Sequence, residues 1–192
     1  MNALNDDALT GGFTDAPVQA AHGFRAILTA LSRPGKIVTL TGAEPPAPMS
    51  AAAGAVALVL FDATTPVHLA GAHDCPEVRD WLTFHTGAPL ASAVEAMFAL
   101  GLWDALQPVT RFAVGTPECP DRAATLIVEA GTLGGEGARL RGPGINGTAR
   151  LSLPAAAPFI VNRALFPLGF DTLFTCGDQL AGLPRSTIVE GV

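Results

Sequence analysis

The stretch FDTLFTCGDQLAGLPRST, residues 170 to 187, sets a thiol, a carboxylate and a guanidinium close together as Cys176, Asp178 and Arg185. A cysteine beside a cation is a potential nucleophile. An arginine beside hydroxyls such as Ser186 and Thr187 can hold phosphate or carboxylate through paired hydrogen bonds. The same residues have a structural reading. Strand-like FDTLFTC, then Gly177-Asp178, then QLAGLP is the two-residue connection with glycine first that makes a type II′ hairpin. Cys176 then flanks a turn, and a small packed thiol is favoured over a nucleophile. A Cys-His-Asp hydrolase drawn from Cys176, His85 and Asp178 lacks any spacing that would bring the three together.

Two further polar clusters can carry ligand chemistry. GTPECPDRAATL, residues 115 to 126, holds Thr116, Glu118, Asp121 and Arg122 in a loop stiffened by Pro117 and Pro120, and RLRGPG supplies Arg139 and Arg141. Surface ion pairing accounts for these as well as anion binding does. GPGING, residues 142 to 147, fits the dinucleotide fingerprint in its glycines, but that mechanism needs a strand before it and a helix after it to receive the pyrophosphate. TARLSLP, a strand candidate, follows instead, so a tight loop between strands is expected. HDC at 73 to 75 offers two metal ligands where zinc needs three or four. Lys36 is the only lysine, and at the start of a predicted strand it is a poor Schiff-base candidate. No GxxxxGK[ST] sequence is present, which excludes a P-loop.

The elements that must position these residues are legible in the periodicity. AAHGFRAILTALSRPG puts Ala20, Phe24, Ile27, Leu28 and Leu31 on one helical stripe ending at Arg33, before Pro34. KIVTL reads as a strand, TGAEPPAPMS as a loop, Ser50 to Leu60 as a helix and PVHLA as a short buried strand. DCPEVRDWLTFHTG is a helix with Asp74 as cap, Pro76 in the first turn, Gly87 beyond the end, and Val78, Trp81, Leu82 and His85 on its buried side. ASAVEAMFALGLWDAL reads as a short helix followed by a strand at Phe98 to Leu102. Up to here alternating helices and strands predict partly parallel pairing. From Thr125, ATLIVEAG, GARLRG and TARLSLP predict antiparallel pairing. PFIVNRALFP is a short helix, and residues 170 to 189 return to strand.

Composition bounds the rest. The 192 residues, 49% apolar and 15% charged, fit a single domain over 1–192. Mean hydropathy is +0.39, which suits a core rich in small residues or an apolar surface covered by another subunit. The longest apolar run, AAAGAVALVLF, is shorter than the ~20 residues that cross a bilayer. The start MNALNDDALT lacks the charge pattern of a secretory signal. No membrane span is therefore expected, the location is cytoplasmic, and Cys75, Cys119 and Cys176 are thiols. A net charge of −6 argues against a nucleic-acid partner.

FRAILTALSRPG at 24 to 35, LTFHTGAPL at 82 to 90, GTPECPDRAATLIVE at 115 to 129, LRGPGI at 140 to 145 and NRALFPLGFDTLFTCGDQLAGLPRST at 162 to 187 together resemble the PhnH family, which supplies one component of the bacterial carbon-phosphorus lyase core complex. Cys119 stands where that family commonly has a tyrosine. The resemblance implies a three-layer α/β/α sandwich with a mixed sheet, similar to the large domain of pyridoxal-phosphate-dependent transferases but without that cofactor. It implies assembly with partner subunits of the G, I and J types and accessory protein L, and a homodimer when isolated. In that pathway the complex transfers the ribose triphosphate of MgATP to a phosphonate with release of adenine, as α-D-ribose 1-methylphosphonate 5-triphosphate synthase. MgATP is then a substrate of the complex, no cofactor is expected on this subunit, and its part is structural. Candidate ligand or partner contacts are Arg33, Thr116, Glu118, Asp121, Arg141, Cys176, Asp178, Arg185 and Thr187. The alternative is a free-standing small-molecule enzyme using Arg141, Arg185 and Cys176, and a further reading is a nucleotide-binding module at Gly142 to Gly147.

Overall fold

In the segment TLIVE, Leu126 and Val128 face one way and Ile127 the other, and this period-two alternation sorts the interior into two cores. The computed structural model describes residues 9–134 and 137–191. In chain order its elements are α1 (Ala16–Ser32), β1 (Ile37–Thr39), α2 (Ala51–Leu60), β2 (Val67–Leu69), α3 (Pro76–Thr86), β3 (Phe98–Leu102) and β4 (Thr125–Glu129). Then follow β5 (Ala138–Arg141), β6 (Ala149–Leu151), α4 (Ala157–Ala164), β7 (Asp171–Cys176), β8 (Gln179–Leu183) and β9 (Ile188–Glu190). The fold is α/β. Its main sheet has the order β1-β8-β7-β4-β3-β2, and a second sheet has the order β6-β5-β9.

β2, β3, β4 and β7 are mutually parallel, whereas β8 pairs antiparallel with β7 and the edge strand β1 pairs antiparallel with β8. One face of the main sheet presents Leu100, Ile127, Leu173 and Leu180 to α1, α2 and α3, which bury Ile27, Ala30, Val56, Val78, Trp81 and Leu82 against them. The other face presents Leu126, Val128, Phe174 and Ala181 to Leu140, Leu151 and Val189 of the small sheet and Phe159 of α4. β4 therefore corrects the antiparallel expectation for residues after Thr125. All of Leu126, Ile127 and Val128 are buried, and a strand apolar on both faces belongs in the middle of a covered parallel sheet. Antiparallel pairing holds for β5 with β6 and β9.

Local chemistry explains most element ends. The Ser50 hydroxyl caps α2 by accepting from the Ala53 N–H at 3.2 Å. Gly87 ends α3 in the left-handed region at φ 68°. Gly177, at φ 59°, opens the β7–β8 turn, while no residue other than glycine has positive φ among the described residues, as a type II′ hairpin requires. Asp74 does not cap α3. Cys75 takes that position without a side-chain bond, and the Asp74 carboxylate instead accepts from Arg79 Nη2 at 2.8 Å. The short helix expected before β3 is also absent. Pro89–Ala91 run alongside β2, with Val67 N–H donating to Pro89 O and Ala91 N–H to Val67 O, and this extended backbone leaves only a turn at Ser92–Glu95.

The face that α1 buries differs from the predicted stripe. Gly23, Ile27 and Ala30 are buried, whereas Phe24 and Leu28 are 51% and 50% exposed. The cause is distance. A Cβ on Gly182 of β8 would lie 2.7 Å from the Ala30 backbone carbonyl, and one on Gly23 would lie 2.8 Å from Val59. Only small residues fit at that approach, so the large side chains of α1 rotate outward. Gly182→Ala is expected to cost about 1–3 kcal/mol through overpacking, read as a lower urea midpoint at unchanged slope. Gly131→Ala, with open space around it, should stay within about 0.5 kcal/mol.

Candidate functional site

Parallel strands place their carboxyl ends on one rim, where open α/β sheets hold ligands. Glu129 closes β4 there, Thr175 lies near the end of β7, and the 3-10 turn Gly71–His73 follows β2. Glu129 is 9% exposed and its Oε1 accepts from the Ser50 N–H, at the start of α2, at 2.7 Å. His73 is 1% exposed, its Nε2 stands 4.0 Å from Glu129 Oε1, and neither ring nitrogen has a hydrogen-bond partner among the described residues.

Burial governs the protonation of this pair. Loss of water raises the Glu129 carboxyl above its ordinary range, a shift opposed by hydrogen bonding from the Ser50 backbone and side chain and by the nearby Thr175 hydroxyl. Thr175 Oγ1 itself makes no hydrogen bond of standard geometry. Burial likewise lowers His73, opposed by the nearby Pro48 carbonyl. Both directions favour uncharged forms, because two buried charges would each lose several kcal/mol of hydration. At 4.0 Å the neutral acid and the neutral imidazole stand beyond direct hydrogen-bond distance of each other.

Across the same strand end lies a cleft of about 430 Å³, lined by Leu102 to Asp104, Val128 to Thr132 and Ser152 to Pro154. Alternation turns the Glu129 carboxylate toward α2, while Val128 belongs to the opposite core.

The sequence-selected residues fall in several places. Arg185 is tied to Asp171 through Nη2–Oδ2 at 2.6 Å and Nε at 3.2 Å, donates from Nη1 to Pro120 O at 2.7 Å, and gives its backbone N–H to Asp171 Oδ1. It thus anchors the loop carrying exposed Thr116, Glu118 and Asp121 to the amino end of β7. Within that loop Thr116 Oγ1 accepts from Cys119 N–H. Thr187 is 2% exposed, with its hydroxyl unpartnered among the described residues. Cys176 sits at the opposite end of β7, its Sγ 3.4 Å from Gly131 O, about 17 Å of strand away from Asp171. Asp178 is exposed in the hairpin turn, where its carbonyl accepts from Leu40 N–H. Arg141 lies on β5, 3.6 Å from Glu190, and Arg33 is the exposed C-cap of α1. Arg141, Arg185 and Cys176 are therefore not brought to one site. Gly142 to Gly147 join β5 to β6, so the loop leads into a strand and not into a helix N-terminus.

Sequence reasoning does not single out Glu129, and it considers His73 only as a metal ligand within HDC. The available signal was an acid closing an otherwise apolar strand, LIVE. Among the described residues no group of three or more His, Cys, Asp or Glu is placed to hold a metal ion, and no helix is long and apolar enough to cross a membrane.

Two outcomes follow. Because Glu129 titrates higher in the folded chain, its contribution is present below about pH 4.5 and is lost as pH rises; His73 titrates lower, so its contribution is present above about pH 6.5 and is lost on acidification. In thermal melts across pH 4 to 8, Glu129→Gln should gain relative to the parent as pH rises, and His73→Gln should gain as pH falls. Separately, Arg185→Ala should cost about 2 kcal/mol by leaving Asp171 half-buried and unpaired, a fall of about 4–8 °C in melting temperature.

Comparison with known proteins places this geometry. Residues 11–190 match the family described as bacterial phosphonate metabolism protein, PhnH. The chain is 39% identical over 193 residues to α-D-ribose 1-methylphosphonate 5-triphosphate synthase subunit PhnH of Rhizobium meliloti (strain 1021), covering 94% of this chain and 95% of that protein. It is 30% identical over 200 residues to HtxG of Stutzerimonas stutzeri, which carries the name of a C-P lyase subunit protein, with 93% and 95% covered. With likeness running from end to end, the chain belongs to the PhnH family of bacterial phosphonate metabolism proteins.

Proposed function

We propose that this chain is the PhnH component of a carbon-phosphorus lyase core complex and that its contribution is architectural. The complex would transfer the ribose triphosphate of MgATP to a phosphonate with release of adenine, this subunit binding no cofactor of its own. Its partners would be subunits of the G, I and J types and accessory protein L, in the cytoplasm, with self-pairing when it is isolated. A likeness of its sheet and helices to the α/β/α large domain of pyridoxal-phosphate-dependent transferases belongs to the same reading.

The observation that carries the proposal is apolar surface left uncovered. On α4 and just beyond it, Ile160, Val161, Leu165 and Phe166 are 44–63% exposed. They adjoin a groove of about 370 Å³ lined by Pro108, Val109, Val114, Pro158, Val161 and Leu165. Contiguous exposed apolar surface of this kind marks an interaction face, and the end-to-end match to a named synthase subunit supplies the kind of partner. The alternative of a free-standing enzyme built on Arg141, Arg185 and Cys176 lacks support, since the ends of β7 hold two of these residues apart.

Val161→Glu combined with Leu165→Glu should reduce co-purification with co-expressed G, I and J subunits at least about tenfold, because charge is inserted into an apolar contact. Circular dichroism of the purified variant should match the parent. Undiminished co-purification would reject this face as the docking surface.

A further inference from the structure

The cleft at the carboxyl ends of β3 and β4 has no part in the docking face on α4. Its volume of about 430 Å³ falls in the range of small-molecule sites, and its place on the sheet is where ligands of open α/β folds sit. Leu102, Val128, Leu153 and Pro154 supply apolar wall. Trp103, partly exposed, lines it, and the indole is held by Phe159 with ring centroids 5.1 Å apart and planes inclined by 31°. That support fixes the ring before any ligand arrives, which lowers the ordering cost of stacking.

The polar groups define the rest of the ligand. Asp104 is exposed, and its carboxylate has no hydrogen bond or ion pair among the described residues; the Trp103 Nε1–H and the Ser152 hydroxyl are equally without protein partners there. Among the described residues no arginine or lysine lines the cleft, and the carboxylate it presents is that of Asp104, since Glu129, also on its wall, turns an uncharged carboxyl toward α2. An anionic group such as a phosphate would enter against like charge with nothing to offset it. A carboxylate beside a fixed aromatic plane instead suits a flat ring joined to a vicinal diol, since the two acceptor oxygens can take both hydroxyl protons.

We propose that this cleft binds a neutral nucleoside, its base against the Trp103 indole and its ribose hydroxyls on Asp104. The inference is independent of complex assembly, and its failure would leave the docking proposal untouched.

The chain reports on its own cleft. Trp81, the other tryptophan, is fully buried and donates from Nε1 to Thr10 O, so a ligand at the rim perturbs Trp103 emission alone. Titration of the whole purified chain with adenosine should give saturable quenching with Kd below about 1 mM. Calorimetry should then find binding weakened at least about tenfold by Asp104→Asn, by Trp103→Leu and by removal of the 2′-hydroxyl in 2′-deoxyadenosine, with ATP binding no more tightly than adenosine. Asp104→Asn alters an exposed carboxylate without partners and keeps the test valid if Trp103→Leu fails to fold. Absence of saturable adenosine binding, tighter binding of ATP, or affinity indifferent to Asp104→Asn would each overturn the assignment.

Discussion

The two-residue turn between β7 and β8 sets the register on which the rest of the chain depends. With Gly177 opening that turn, Thr175 pairs with Leu180, Phe174 with Ala181 and Leu173 with Gly182. The register puts the residue without a Cβ directly under Ala30 of α1. It also puts Thr175 on the face where Glu129 meets α2. A slip of one residue would send each of these side chains to the opposite face. The turn is fastened from both sides as well. Gly177 O accepts from Ala52 N–H in the first turn of α2, and Asp178 O accepts from Leu40 N–H just after β1. One hairpin thus fixes α1, α2 and an edge strand, while its far end holds the 115–122 loop through Arg185.

The buried acid follows from that arrangement. α2 is apolar around most of its circumference, with Ala52, Ala53, Ala55, Val56 and Ala57 all buried, as expected of a helix enclosed by protein. Its first N–H groups lie near the rim with little water to satisfy them, and Glu129 accepts one of them. A helix N-terminus favours an anion by about 0.3–1 kcal/mol, whereas enclosing a carboxylate costs several. Desolvation is accordingly the larger influence and keeps the acid toward its neutral form. His73, enclosed nearby with both nitrogens unpartnered, obeys the same inequality in the opposite sense.

Much of what depends on neighbouring residues was legible in the sequence, although the Asp74 cap and the helix before β3 do not form. The Gly-Asp hairpin, the helix starting at Ser50, the Gly87 stop and the strand at Phe98 to Leu102 are all local decisions, and each occurs where the residues place it. The α/β class also followed from alternating patterns. What depended on distant partners was not legible. Asp171 claims Arg185 across the hairpin, 14 residues away, and turns a candidate anion ligand into a loop anchor. Glu129 and His73 are 56 positions apart in sequence and meet only because β2 and β4 flank β3 in parallel. The outward rotation of Phe24 and Leu28 could not be read from α1 alone, because the close contacts that cause it are made with Gly182 of β8 and Val59 of α2.

Apolar side chains of α1 and α4 lie outside the cores, and they are exposed for different reasons. On α1, Phe24 and Leu28 are displaced by a contact that admits only small residues. On α4 the decisive residue is Asn162. Its Oδ1 accepts from Phe170 N–H at 2.9 Å and its Nδ2 donates to Phe170 O at 2.8 Å, so the buried amide holds the chain entering β7 by both backbone groups. Rotating α4 about its axis would break both bonds and leave the buried amide unpaired, at a cost of about 1–3 kcal/mol for each group. Phe159 packs inward beside it against Phe174. Held in this way, the helix cannot turn Val161 and Leu165 into its own core. The apolar face of α4 is therefore fixed outward by a hydrogen-bonded clamp, and the groove beside it has a constant shape to offer a partner.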